Sequence, residues 1–170
     1  MAIITLNNNS LSGVTALPAG VGGKVLQVVQ TSLTTELITS SNTFADLGSL
    51  SITPSSTSNK IFITTTNHVY IDNQSSVSGW EGALINIKRG STSILSDPNS
   101  GYGEANNFST ASNRTMCYST LQYLDSPNTT SATTYTVQYA SHTSGAELRI
   151  NSGFFGSQGT LTLMEVSAWF

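Results

Sequence analysis

Charge is what this sequence has least of. Six lysines and arginines and nine acids make up 9% of its 170 residues, against about 25% in an ordinary soluble protein. The basic side chains, Lys24, Lys60, Lys88, Arg89, Arg114 and Arg149, are too few and too scattered for a phosphate-tracking stripe. Nucleic-acid binding is therefore not expected. The single cysteine, Cys117, excludes an intrachain disulfide, and its place in an apolar strand pattern reads as a buried structural thiol. No apolar run reaches the ~18 residues of a membrane span. No positive flank precedes the first hydrophobic residues, so neither a membrane partner nor a secretory signal is expected.

The motifs of catalysis are missing as well. His68 and His142 come without an H-x-x-x-H, C-x-x-C or paired-carboxylate companion, so zinc is not expected. Asp97, Asn99 and Glu104, or Asp72 with Asn73, carry calcium-type oxygens, but the twelve-residue loop spacing is absent. They read as solvated turn residues. A glycosidase needs two carboxylates at a set separation, and nothing brings Glu81 to Glu104. No G-x-S-x-G elbow occurs among the many serines. The expectation is a protein that is not an enzyme and holds no cofactor.

What is present is hydroxyl and amide. Serine, threonine and asparagine fill 65 of the 170 positions, a bias toward strands and turns. Hydrophobic residues at 38% are enough for a core. The pattern centres on Thr115–Ser141. There Tyr135, Val137 and Tyr139 alternate with Thr134, Thr136 and Gln138, the period of a half-buried strand. Ahead of it Met116–Leu124 reads as its partner, with Ser126-Pro127-Asn128 turning between them.

Taken in order, Met1–Gly23 has no charged side chain, three consecutive asparagines and four glycines. Ile3, Ile4, Leu6, Leu11, Val14 and Leu17 are spaced too irregularly for a strand or an amphipathic helix. Two readings stand: a solvated tail, or an arm whose apolar side chains dock on another surface. Six sizeable aliphatics exceed what a linker needs, which favours the arm. A single β-domain is expected over Lys24–Phe170, with strands at Lys24–Gln30, Glu36–Ser40, Phe44–Thr53, Lys60–Ile71, Trp80–Arg89, Ser93–Leu95, Met116–Leu124, Thr134–Tyr139, Glu147–Asn151 and Thr160–Phe170. In Lys60–Ile71, Ile61, Ile63, Thr65, Asn67 and Val69 face one way, with His68 among threonines on the other. The last strand is apolar on both faces, Leu161 and Leu163 against Met164, Val166 and Ala168. Two-sided apolarity marks a strand covered twice, and the second cover is most simply another subunit. Such short strands, separated by turn signals and long loops, predict an all-β sandwich of jelly-roll type.

Six stretches carry a resemblance: NNNSLSGVTALPAG (Asn7–Gly20), GGKVLQVVQ (Gly22–Gln30), ITPSSTSNKI (Ile52–Ile61), IKRGSTSIL (Ile87–Leu95), LDSPNTTSATTYTVQ (Leu124–Gln138) and GTLTLMEVSA (Gly159–Ala168). Together they resemble structural proteins of tailed bacteriophages, especially those of marine bacteria and cyanobacteria. That resemblance implies a homotrimeric jelly-roll or tumour-necrosis-factor-like head in the virion, as a head-decoration (cement) protein or a tail-fibre component. Its partners would be its own copies and the major capsid protein or another virion protein. With 23 residues ahead of the domain and no coiled-coil heptads, decoration is favoured over a complete fibre. The alternative is a receptor-binding head that recognises a host glycan, for which Trp80, Tyr102 and Phe108 would form the stacking platform. The competing reading of those aromatics is core or interface filling.

Overall fold

In the computed structural model, residues 24–72, 82–95, 114–142, 147–153 and 156–168 are described. The longest strand among them, β4 (Lys60–Asp72), organises the rest. Its odd-numbered residues Ile61, Ile63, Thr65, Asn67, Val69 and Ile71 are all at most 1% exposed, so the period-two pattern turns one whole face into the core. Along one edge β4 pairs antiparallel with β7 (Arg114–Asp125) over its full length. Along the other edge lie two strands end to end. β10 (Gly159–Val166) takes the first half of β4 and β9 (Glu147–Ile150) the second. Outside those run β1 (Val25–Leu33) against β10 and β2 (Leu37–Thr39) against β9. These six strands form the larger sheet.

The smaller sheet has the order β3 (Ala45–Ile52), β8 (Thr133–Ser141), β5 (Ala83–Arg89), β6 (Thr92–Ser93). Across the two sheets the pairings nest. The first strands, β1 and β2, pair with the last, β10 and β9; β3 pairs with β8, β4 with β7, and β5 with β6. A hairpin of strands rolled up in this way is the double Greek key of a jelly roll. The fold is an all-β jelly-roll sandwich, as the strand spacing predicts.

Between the sheets lie Tyr135, Val137 and Tyr139 of β8, Ile85 and Ile87 of β5, and the odd face of β4, with Leu148, Ile150, Leu161 and Leu163. Each such side chain removed from water contributes roughly 1.5–3 kcal/mol. Polar groups inside the sandwich are tied to one another. Asn151 donates to Asn67 Oδ1 at 3.0 Å and accepts from the His68 backbone at 3.0 Å. Asn67 in turn donates to Thr65 Oγ1. At Gly159 an added Cβ would strike Asn67 Oδ1 and lie 2.6 Å from Asn151 Nδ2. Glycine is required there by close approach.

Several strand ends differ from the sequence pattern, and two of them have a visible cause. The last strand stops at Val166 rather than Phe170. Beyond it Ser167 N–H bonds back to Lys24 O and Ala168 N–H bonds to Asn59 Oδ1, closing the chain onto the start of β1 and the turn before β4. β9 stops at Ile150 because Asn151 takes a φ of +52°, a left-handed geometry that asparagine tolerates. Asn128 in the turn before β8 likewise sits at φ +54°, in keeping with the Pro127-Asn128 turn.

Candidate functional site

The outward face of the larger sheet is built from residues that the register sets side by side. Directly paired residues on antiparallel strands share a face, so successive rows can be read across β7, β4, β10 and β1. The first row is Leu124, Phe62, Met164 and Val28, apolar throughout. Beside it at the sheet's end come Val166 and Val25, with Leu26 extruded at a register shift in β1. The next row is Gln122, Thr64, Thr162 and Gln30, and the third Thr120, Thr66, Thr160 and Ser32. Side chains bond along these rows, Gln30 to Thr162 Oγ1 at 2.8 Å and Thr66 with Thr120 at 3.0 Å. The fourth row pairs Tyr118 with His68, their rings edge to face at 5.4 Å.

No lysine, arginine, aspartate or glutamate stands in these four rows. Burial lowers the His68 pKa below its ordinary value, so this ring is neutral at pH 7 and adds no charge. Charges appear only beyond the field. Lys60, paired with Val166 at the end of the sheet beyond the four rows, donates to Ser126 at 2.8 Å. At the far end Arg149 binds Glu147 at 2.6 Å and lies 3.8 Å from Glu36. There the Tyr70 hydroxyl donates to Asp72.

This face is also where apolar surface is left in water. Among the described residues the large exposed hydrophobics are Val25, Leu26, Val28, Ile38, Met116, Tyr118 and Leu124. All belong to the larger sheet, on β1, β2 and β7. Tyr118 is 67% exposed and Leu124, on a different row of the same strand, 48%. Scattered singly such residues need no explanation, but contiguous apolar patches on a soluble protein mark interaction sites.

Below this face sits a buried anion. Glu165, 1% exposed, faces inward from β10 with no cation beside it among the described residues. Its carboxylate accepts from Asn59 Nδ2 at 2.6 Å, from Gln27 Nε2 at 2.6 Å, and from the backbone and hydroxyl of Ser55 at 2.7 and 2.8 Å. Burial alone would raise its pKa, yet the hydrogen bonds of Asn59, Gln27 and Ser55 outweigh it and hold the group at about 2. The cluster fastens β1, β10 and the turn before β4, the three segments that carry the apolar end of the face. A second clamp joins the sheets. Arg89 Nη1 reaches both oxygens of Asp125 at 2.9 Å, and the Tyr135 hydroxyl donates to the same carboxylate at 2.6 Å.

Of the residues singled out in the sequence, Met164 and Val166 lie half-buried on this outer face. Ala168 lies past the strand end, its N–H on Asn59. Cys117 points inward from β7 in a half-buried position, and burial pushes its thiol up. Ile3, Ile4, Leu6, Leu11, Val14 and Leu17 lie outside the described residues, as do Trp80, Tyr102, Phe108, Asn73, Asp97, Asn99 and Glu104. Among the described residues no three His, Cys, Asp or Glu side chains gather as metal ligands. Sequence reasoning missed Val28, Phe62 and Leu124, since only the register lines them up. It also missed Glu165, whose one signal is an acid at an inward position between Leu163 and Val166.

No family model matches the chain, and no curated protein matches it. Among solved structures it is similar to chains of infectious bursal disease virus. The Gx strain gives 16% identity and a TM-score of 0.37, over 82% of this chain and 39% of that one. The VP2 subviral particle gives 12% and 0.39, over 84% and 38%. Derived T=1 particles give 15% and 0.38, over 99% and 41%. The chain thus spans about two-fifths of the length of these neighbours, and at such TM-scores the likeness carries no functional inference.

Proposed function

We propose that this protein is a structural component of a bacteriophage virion, a homotrimeric decoration protein that binds the outside of the capsid and stabilises it. The observation that carries the reading is the uncharged outer face of the larger sheet, with its apolar row and exposed rim. A freely diffusing protein keeps charge on its surface for colloidal stability; this one has little, and a broad face made for burial. The stretches that resemble tailed-phage structural proteins span the chain, and the jelly roll is a fold that viral capsids use repeatedly. Attachment to the particle falls to the uncharged N-terminal arm, and the protein performs no catalysis.

Counting copies per particle by quantitative mass spectrometry of purified virions tests this. A decoration protein is present in hundreds of copies. A count in the tens would move it to the tail and favour the receptor-binding alternative. Absence from purified particles would overturn the virion reading altogether.

A further inference from the structure

We infer that the outer face of the larger sheet is the surface by which copies of this chain assemble, each face buried against a neighbouring copy rather than against a chemically different partner. The inference deepens the proposed self-assembly by naming its surface, and rests on that part of the reading alone.

Size is the first argument. Strands lie about 4.8 Å apart and rise about 3.3 Å per residue. Four strands run together over the eight residues of β10, a flat footprint of roughly 500 Å², which the relief of the side chains brings near the ~600 Å² that each partner gives at the lower end of stable interfaces. Chemistry is the second. A face carrying charge of one sign repels its own copy and calls for a partner of the other sign. Here four successive rows carry none. Their polar side chains are threonine, serine and glutamine, each both donor and acceptor, so such faces turned toward a common three-fold axis can satisfy one another. Apolar side chains at opposite edges of the sheet, Val28 on β1 and Leu124 on β7, give the patch breadth across all four strands. The smaller sheet is the poorer candidate: its outer face carries the Lys88–Asp46 ion pair at 3.0 Å, and its buried Asn86 and Gln138 are bonded within the chain.

The test is the solution mass of the full chain across a dilution series, for wild type, Val28→Asp, Leu124→Asp and a control, Ser49→Asp, at an exposed position of β3 in the smaller sheet. The expected result is a wild type and control at a multiple of 17.9 kDa, with both face variants monomeric. Like charges brought together cost several kcal/mol, so the dissociation constant should rise about 100-fold or more. Far-UV circular dichroism and a cooperative melt must show that the variants fold. Should an aspartate disturb the strand, Thr120→Arg charges the same face without removing an apolar side chain and must give the same result. Oligomeric face variants beside an oligomeric wild type would overturn the inference and leave self-assembly standing on another surface. A monomeric wild type would overturn both. If the face variants of that monomer also failed to bind particles, the face would belong to the capsid and the virion reading would survive.

Discussion

The two outer faces of this sandwich are built to opposite ends. On the smaller sheet, polar side chains are buried and satisfied within the chain. Asn86 and Gln138 are 5% and 7% exposed and bond to each other, to Ser93 and to Asp46. Lys88 meets Asp46 at 3.0 Å, and that contact first, with Gln138 also helping against desolvation, lowers the Asp46 pKa. On the larger sheet the side chains are apolar or hydroxyl, carry no charge over four rows, and leave Val28 and Tyr118 in water. A sheet face that satisfies itself contributes to the fold of one chain. On the proposed reading, a face that leaves apolar side chains in water is completed by a neighbouring copy.

Substitutions should therefore separate by face and by layer, and the largest effect belongs beneath the larger sheet. Gly159→Ala drives a Cβ into Asn67 and Asn151, so the buried amide cluster or the β10 backbone must shift. Overpacking and broken buried hydrogen bonds together predict a loss of about 3–5 kcal/mol, read by denaturant unfolding. A variant within 1 kcal/mol of wild type would show that the approach at Gly159 is looser than its geometry implies.

Next comes the Glu165 anchor. Glu165→Gln keeps the shape but presents an amide N–H₂ where Gln27 donates. Gln27 cannot simply flip, because the same Nε2 also donates to Thr53 O at 2.7 Å. A loss of about 1–3 kcal/mol is expected. The pH dependence has a definite sign. The folded pKa, about 2, lies below the ordinary 4.5, so the unfolded chain binds the proton first. The stabilisation is complete above about pH 4.5 and drains away as pH falls from there toward 2. Glu165→Gln should flatten the fall of melting temperature across that window. An unchanged acid limb would mean that other carboxylates govern it.

These two sites also mark what the sequence discloses. The alternation of Ile61, Ile63 and Val69 against Phe62, Thr64 and Tyr70 displays β4 directly, because burial on one face leaves a period of two. Tyr135, Val137 and Tyr139 do the same for β8, and the regular turn signals lead to the jelly roll. Glu165 is opaque. An acid on an inward position looks like a flaw in the pattern until Gln27, Ser55 and Asn59 arrive from distant segments to donate to it. The apolar row is opaque for a related reason. Met164 shows in the two-sided pattern of β10, but Val28, Phe62 and Leu124 become its neighbours only through strand register, which no local window contains. Ser167 and Ala168 leave the strand because their N–H groups go to Lys24 O and Asn59 Oδ1, a tertiary choice.

The comparison between faces is sharpened by a matched pair of mild changes. Gln138→Ala on the smaller sheet removes the acceptor of the buried Asn86 Nδ2 and one of the two partners of Asp46, and should lower the stability of the single chain by about 1–3 kcal/mol. Leu124→Ala on the larger sheet removes a side chain already 48% exposed and should change it by about 0.5 kcal/mol or less. Melts recorded at concentrations low enough to hold the monomer compare the two. If Leu124→Ala were the more damaging there, the outer face of the larger sheet would already be part of the single chain's core.

The smallest effect on the fold is expected from removing the arm. Lys24 O accepts from Ser167 N–H and Lys24 N–H donates to Ser167 Oγ, both at 3.0 Å, so the domain is tied off at the first described residue. Deleting Met1–Gly23 spares both atoms of that tie and should leave melting within about 0.5 kcal/mol of wild type. On the proposed reading, an oligomer held by the larger sheet should persist. Particle binding is where the deletion should tell. Ile3, Ile4, Leu6, Leu11, Val14 and Leu17 must repay the ordering of a glycine-rich chain, and each one buried returns roughly 1.5–3 kcal/mol. Several arms on one oligomer add effective concentration, so losing them together should weaken attachment far more than any single substitution. A truncated domain that decorates particles as tightly as the intact chain would assign attachment to the sandwich, and the exposed rim of β1 and β7 would become the first place to look.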